Sequence, residues 1–541
     1  MMFYIILSLI GIILYNIYFQ KKARPNLPPG PKPVPLLGNI RDLPPKGSLE
    51  YQHWLKFKDI YGPISSIAVL GQSLIILHDR QAVSYLLEKS SAKTSGRPDL
   101  HFARKLCGYG DLLTLEQYDT TFRQRRKLIH QNMGSRGTAA RFRDIQDMES
   151  HRFLLRVLND PANLIQHLKT EASAIILRIT YGYSIEPHGA DPLTLLIDRM
   201  MHGFSAAVTP FVWPVDIIHQ LEYLPEWLPG MSFKRLAREW NSVTHTTIEA
   251  PYAFVRQQMA KGSHRMSYVS SLVEQQNYGD GDDDDAGDSD GANDTLSEDY
   301  EGTIKKTAAI MYGGGADTTV SAISSFVLAM VLFPTIQKKA QDEIDLVVGV
   351  DRLPQFQDRD HLPYVNALVM ETLRWMPVGP MATPHVADED INYGGFFIPK
   401  GSILCPAVWW FLHDPKTYSD PSSFDPGRYM EPRNEPDPTN DAFGYGRRIC
   451  PGRFLAIENL FITISRLLAV FDIENAIDES GKKIYPKPEM TSGLISHPVE
   501  FPYSIKPRSD KHMDLIRCVE VEHPWEESDA RHLQSHLTNI A

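Results

Sequence analysis

The chain has 541 residues, four cysteines, 43% hydrophobic residues and a formal net charge of −11, with no internal repeat at solenoid or propeller periods. Seven aspartates fall within 280–290, so the remainder is near neutral, and nothing in the charge argues for a nucleic-acid partner. Cys107, Cys405, Cys450 and Cys518 stand far apart without a C-x-x-C pair, which excludes a disulfide framework and a zinc cluster and fits a reducing compartment.

No Gly/Ser-rich linker divides the chain, so one large, mainly α domain with a small β-rich lobe is expected. Phe3 to Phe19 form seventeen residues without a charge, near the lower end of the spanning range of about 17–25. No basic residue precedes this run and no small-x-small site closes it, so a transmembrane anchor over 1–20 is expected rather than a cleaved signal. Lys21, Lys22 and Arg24 follow, which by the positive-inside rule leaves the body cytosolic. The basic, Pro-rich hinge of 21–40 is a stiff, extended strap, and 41–508 forms the main domain.

Within that domain Ile64 to Leu77 reads as a hairpin around Gly71-Gln72, and the pattern turns helical from Ala82. Ser95 to Asp111 is irregular and glycine-bearing, which suggests a mobile loop. Phe122 to Ile129 opens a basic helix. The stretch from Gly203 to Gly230, with Trp213-Pro214, Leu224-Pro225 and Trp227, is too apolar for an ordinary surface loop. It caps an entrance, dips into a membrane or packs into the core. The acidic insert of 279–299 has the composition of a disordered connector.

Glu301 to Phe333 reads as one long helix ended by Pro334. Its central Gly313-Gly314-Gly315 costs roughly 1 kcal/mol per glycine against alanine. Either a flat ligand approaches the helix backbone or the helix kinks. Asp317 and Thr318 follow, an acid beside a hydroxyl, which suits delivery of protons to a bound ligand. Glu371 and Arg374, three apart, share a helix face. With Arg428 of Pro426-Gly427-Arg428-Tyr429 they would form a buried triad that locks the segment ahead of Cys450.

Phe443 to Gly452 (FGYGRRICPG) carries the most chemistry. One cysteine sits on a glycine-bounded loop just ahead of an amphipathic helix, whose apolar positions run Ile457, Leu460, Phe461, Ile464, Leu467, Leu468 and Phe471. This is the setting a thiolate ligand to haem iron requires. Gly446 and Gly452 let the backbone pass close to a flat group, the helix N-terminus favours the charged sulfur, and Arg448 can reach a propionate. The polar stretch 509–541 reads as a largely disordered tail.

Taken together these segments resemble a cytochrome P-450, a haem-thiolate monooxygenase of the membrane-anchored fungal type that tailors secondary metabolites. The family's F-x-x-G-x-R-x-C-x-G pattern is met at Phe443, Gly446, Arg448, Cys450 and Gly452, its E-x-x-R pair at Glu371 and Arg374, and its oxygen-binding motif from Gly314 to Thr318. Two departures stand out. Phe122 replaces the tryptophan of W-x-x-x-R while Arg126 is kept, and Pro426-Gly427-Arg428-Tyr429 lacks the acid of P-E-R-F. His385, after Pro384, resembles a further propionate partner.

The resemblance implies the cytochrome P-450 fold, haem b held by Cys450 as axial thiolate, and a proton relay through Asp317 and Thr318. It also implies electrons from an NADPH-dependent reductase, docked on Arg123, Arg125, Arg126, Lys127, Arg447 and Arg453. A hydrophobic substrate such as a terpenoid or polyketide would enter a pocket drawn from 95–111, 201–211, 310–318, 378–383 and 493–497. The protein would be a single-pass membrane protein, in contact with lipid and held at the endoplasmic reticulum with its catalytic domain in the cytosol. A haem-thiolate isomerase or dehydratase, and a non-catalytic haem sensor, are the alternatives.

Overall fold

The computed structural model describes residues 26–45, 47–279 and 298–533, together with Gly11. The expected anchor of 1–20 and nearly all of the acidic insert lie outside the described residues. The chain divides into two compact units: Met1–Pro98 with Met381–Phe411 and Gly444–Arg448, and Asp99–Pro380 with Leu412–Phe443 and Ile449–Ala541.

The first unit is the strand-rich one. Strands β1 (Ile64–Val69) and β2 (Gln72–Leu77) pair antiparallel through Leu70 and Gly71, both at positive φ (49° and 93°), as a two-residue hairpin turn requires. The short β3 (His385–Val386), the hairpin of β4 (Ile391–Tyr393) with β5 (Phe396–Ile398), and β6 (Ile403–Pro406) follow. The main sheet runs β1-β2-β6-β3, with β2 and β6 parallel. Helix α1 (Glu50–Tyr61) buries Tyr51, Trp54 and Phe57 and packs on β1. The proline strap is docked rather than free-standing from Pro28 onward. Ser66 N–H donates to Pro29 O (2.8 Å), and a Cβ on Gly30 would lie 1.8 Å from Ser66 O, so only glycine fits there.

The second unit is helical: α2 (Thr120–Met133), α3 (Arg143–Asn159), α4 (Leu164–Tyr181), α5 (Pro192–Ala207), α6 (Phe233–Ala260), α7 (Tyr268–Gly279), α8 (Glu298–Leu332), α9 (Pro334–Val347), α10 (Pro363–Trp375), α11 (Arg453–Val470) and α12 (Asp510–Glu522). The strands β7 (Phe471–Asn475) and β8 (Tyr503–Pro507) pair antiparallel beside them. Helix α8 has the length and hydropathy to cross a membrane, but 78% of its apolar window is buried inside the protein, so it is a core helix. It packs on α4, α5, α2 and α11 and runs unbroken through its glycines.

Two expectations fail here. The segment 99–111 is not a loose loop: Phe102, Cys107 and Tyr109 are fully buried, and the Phe102 ring stacks on Trp213 at 3.9 Å. The C-terminal stretch is not a disordered tail up to residue 533. Ser509 caps α12, Ile516 and Val519 bury against the body, and the chain then runs over a row of arginines. Arg152 donates to Pro524 O (2.6 Å), the Arg156 guanidinium lies 4.8 Å from the Trp525 ring, Arg178 pairs with Glu526 (2.9 Å) and Arg265 with Asp529 (2.7 Å). A polar sequence stays ordered because its acids meet cations presented by distant helices.

Candidate active site

Cys450 lies at the mouth of α11, whose N-cap is Gly452. Its N–H donates to Phe443 O (2.8 Å), closing the loop, while Arg126 of α2 donates to Ile449 O and Arg453 Nη1 to Cys450 O (3.2 Å). Burial pushes the Cys450 thiol up. The N–H groups of Gly452 and Arg453 and the guanidiniums of Arg126 and Arg453 oppose that by favouring the thiolate.

The α8 glycines have three different surroundings. A Cβ on Gly313 would lie 2.9 Å from Met201 Sδ, and one on Gly315 would lie 2.7 Å from Ile176 Cγ1, so these two admit neighbouring helices. At Gly314 a Cβ would meet nothing within 4 Å, and Gly314 is exposed in a stretch that is otherwise mostly buried. The helix backbone therefore borders an open cradle at this point, as close approach of a flat group requires and a kink does not. Gly452 meets only Met133 Sδ, at 3.8 Å. The residues of this unit thus fit a haem: a sulfur supported by cations, and a bare helix backbone beside Thr318. Thr318 Oγ1 donates to Gly314 O (2.7 Å), and Asp317 Oδ1 faces His497 Nε2 at 3.2 Å.

Gly446 belongs to the first unit, and there its role is different from the one expected. At φ 55° its Cβ would lie 2.1 Å from Leu87 O, so protein backbone, rather than a cofactor, demands this glycine. In the same unit Arg448 Nε donates to Ser95 O (2.8 Å) and the His385 Nδ1–H to Thr94 O (2.8 Å). Burial, then Arg97 and Arg448, hold the His385 ring well below its ordinary pKa, so the fixed cations here are the two guanidiniums. Arg97 was not singled out from sequence. It is buried and donates to Pro384 O (2.7 Å).

The triad residues meet with no exposure at all. Glu371 accepts from Arg374 Nε and Nη2 (both 2.8 Å), Arg428 Nε (3.0 Å), Tyr429 OH (3.0 Å) and Asp425 N–H (2.8 Å). Arg374 spends its other donors on Leu412, Pro421 and Ser423 carbonyls, and Arg428 on Ser419, Asp420 and Ser423 carbonyls and Glu435. Glu435, seven residues on, supplies a carboxylate to Arg428 where the P-E-R-F acid is absent. Two bonded guanidiniums thereby pin the whole 412–435 segment ahead of Phe443.

Of the basic docking face, Arg125 must be removed. It is buried in an ion pair with Glu116 (2.7 Å), whereas Arg123 and Lys127 of the same helix are exposed. The 203–230 stretch divides: Trp213 and Val215 pack inward, while Val212, Tyr223 and Trp227 are exposed, Trp227 by 80%. From the sequence His497 is only the last residue of the expected 493–497 pocket segment, and nothing local ties it to Asp317.

A cysteine set on a loop that backbone and cations hold, and a glycine-opened helix bearing an acid and a hydroxyl, are the parts of a haem-thiolate enzyme. The family model for cytochrome P-450 matches residues 28–504. The chain is 57% identical over 537 residues to the cytochrome P-450 monooxygenase CLM2 of Gibberella zeae, covering 99% of each. It is 46% identical to the multifunctional cytochrome P-450 monooxygenase af510 of Aspergillus fumigatus (94% of this chain, 93% of that one). It is 38% identical to the O-methylsterigmatocystin oxidoreductase of Aspergillus flavus (97% and 96%). A zebra fish cytochrome P-450 solved with abiraterone shares the fold, with a TM-score of 0.65 at 23% identity over 85% of this chain and 100% of that one. The chain belongs to the cytochrome P-450 family, and is an oxidoreductase of the haem-dependent monooxygenase class.

Proposed function

We propose that this enzyme hydroxylates or epoxidises a hydrophobic secondary metabolite, of terpenoid or polyketide type, with electrons from an NADPH-dependent reductase. One oxygen atom of O₂ enters the substrate, the other leaves as water, and two electrons and two protons are consumed. Haem, which Cys450 would hold through its thiolate, would supply the activation of O₂. Arg126 and Arg453 stabilise that sulfur's charge, and the Arg126 guanidinium also suits a propionate. The Thr318 hydroxyl, bonded to Gly314 O, can turn its proton toward the cradle, and Asp317 resupplies it.

The observation that carries the reading is the open cradle at Gly314 beside an intact Asp317–Thr318 pair. An isomerase or dehydratase needs no such proton supply. Met201 packs beside Gly313, Met311 is an apolar residue of α8, and Ser205 Oγ accepts from Ile495 N–H (3.2 Å), which brings α5 and the 493–497 segment together. These residues suit a greasy substrate.

The expected anchor of 1–20 and the exposed Trp227 and Tyr223 support a single-pass protein resting on the endoplasmic reticulum membrane, where such substrates partition. Arg123 and Lys127 of the second unit, and Arg447 of the first, are exposed cations suited to reductase docking. The test is turnover of a panel of terpenoid and polyketide skeletons by full-length enzyme with reductase under ¹⁸O₂. Product carrying one ¹⁸O atom, formed only with NADPH, is expected. Product that forms without O₂ or NADPH would overturn the reading.

A further inference from the structure

We propose that His497 is the residue that supplies protons to Asp317, making the relay of this enzyme a three-member chain, His497–Asp317–Thr318. The inference rests on the monooxygenase reading, because a proton supply matters only where O₂ is reduced.

Four observations carry it. First, His497 Nε2 lies 3.2 Å from Asp317 Oδ1, and among the described residues no other cationic side chain lies within ion-pair distance of that carboxylate. Second, the pair spans the step from solvent to helix: the His497 side chain is 30% exposed and that of Asp317 17%. Third, the backbone around His497 is fixed without the help of its ring. His497 N–H donates to Thr491 Oγ1 (3.0 Å), Thr491 N–H donates to His497 O (2.8 Å), and Ser496 N–H donates to Val378 O (2.8 Å). Fourth, Ser321 Oγ donates to Ser496 O (2.5 Å), and Ser321 stands one turn beyond Asp317 on the same face of α8. The helix that carries the acid therefore also positions the histidine over it.

An imidazole in this place does what a carboxylate alone cannot. Asp317, the less exposed of the two, has in His497 a fixed donor at hydrogen-bond distance. The histidine, as imidazolium, passes its Nε2 proton to Oδ1 and is left neutral. Being part-exposed, the ring turns to water to be reprotonated, so each passage of the relay moves one proton inward, two passages serve one turnover, and no net charge accumulates. A merely structural ion pair would instead need the ring to hold the loop, and the four backbone anchors already do that.

The experiment compares wild type, His497→Gln and Asp317→Asn as full-length haem enzymes, driven either by reductase with NADPH and O₂ or by hydrogen peroxide. Peroxide brings its own protons and electrons, so it bypasses a relay. The ratio of reductase-driven to peroxide-driven product formation is expected to fall about a hundredfold in His497→Gln, the low side of the range for a lost acid–base group. The share of NADPH electrons recovered as peroxide is expected to rise. A parallel readout needs no turnover. In protein labelled with [¹³Cε1]histidine, the resonance missing from His497→Gln should move in Asp317→Asn, with amide exchange of 489–499 unchanged in His497→Gln. An unchanged ratio, an equal fall with both oxidants, or a resonance that stays in place would overturn the proposal. Wild type inactive with both oxidants would overturn the monooxygenase reading and this proposal with it, and is distinguished from the other failures by that inactivity.

Discussion

Arg374→Lys isolates the geometry of the buried clamp from its charge. Arg374 uses all five of its donors: two on Glu371, and one each on the Leu412, Pro421 and Ser423 carbonyls. Lysine keeps the positive charge but offers three donors in no fixed plane. At least two of the five hydrogen bonds are therefore lost in a site with no exposure. Each lost hydrogen bond from the charged guanidinium is worth about 1.5–3 kcal/mol, so the loss is about 3–6 kcal/mol. For a domain of roughly 500 residues the unfolding entropy is about 1 kcal/mol per degree, which places the fall in Tm at about 3–6 °C. The assay is thermal unfolding followed by circular dichroism, together with amide exchange across 412–435. Exchange should quicken there and not in α3 or α6. An unchanged Tm with unchanged exchange would refute the argument that carbonyl anchoring, and not charge alone, holds the segment.

Arg125→Glu places a second carboxylate against buried Glu116, and should destabilise the fold by about 3–5 kcal/mol. A raised requirement for reductase should instead follow charge reversal at exposed Arg123 and Lys127, measured by titrating reductase against turnover. Burial raises Glu171 to about 8, so the folded state holds a proton that the unfolded state has released. Wild-type stability must then fall as pH climbs from about 5 to 8. In Glu171→Gln, whose amide oxygen still accepts from Thr463, the fall should be absent, and a Tm difference equal at both pH values would contradict this. Truncation after Arg508 removes buried Ile516, Val519 and Leu533, each worth about 1.5–3 kcal/mol, and should lower Tm; an unaltered melt would show that 509–533 contributes nothing.

What was legible in the sequence was local. The hairpin expected at Gly71-Gln72, which turns one residue earlier at Leu70-Gly71, the 35-residue α8 closed by Pro334, and the loop around Cys450 each carry their cause within a few residues. Glu371 and Arg374 were readable because helical spacing puts them on one face, and Arg428 because its motif is short. What the sequence hid depends on distant partners. Glu435 replaces a missing acid only because the chain turns back on Arg428. Residues 509–533 look disordered by composition, since the arginines that order them lie on α3, α4 and just past α6. Gly446 looked like a cofactor glycine, although Leu87, more than three hundred residues earlier, sets its need. Arg125 looked like part of a docking face until Glu116 was found behind it. His497 could not be tied to Asp317 without the fold of α8 and the 491–498 turn.

The central claim, that Cys450 is the thiolate ligand of a haem, is tested most directly by the carbon-monoxide difference spectrum of the reduced full-length protein, wild type against Cys450→Ser. Wild type should give the signature of a thiolate-ligated haem, and the variant should lose it whether or not haem is retained. A variant that keeps that signature would contradict the account.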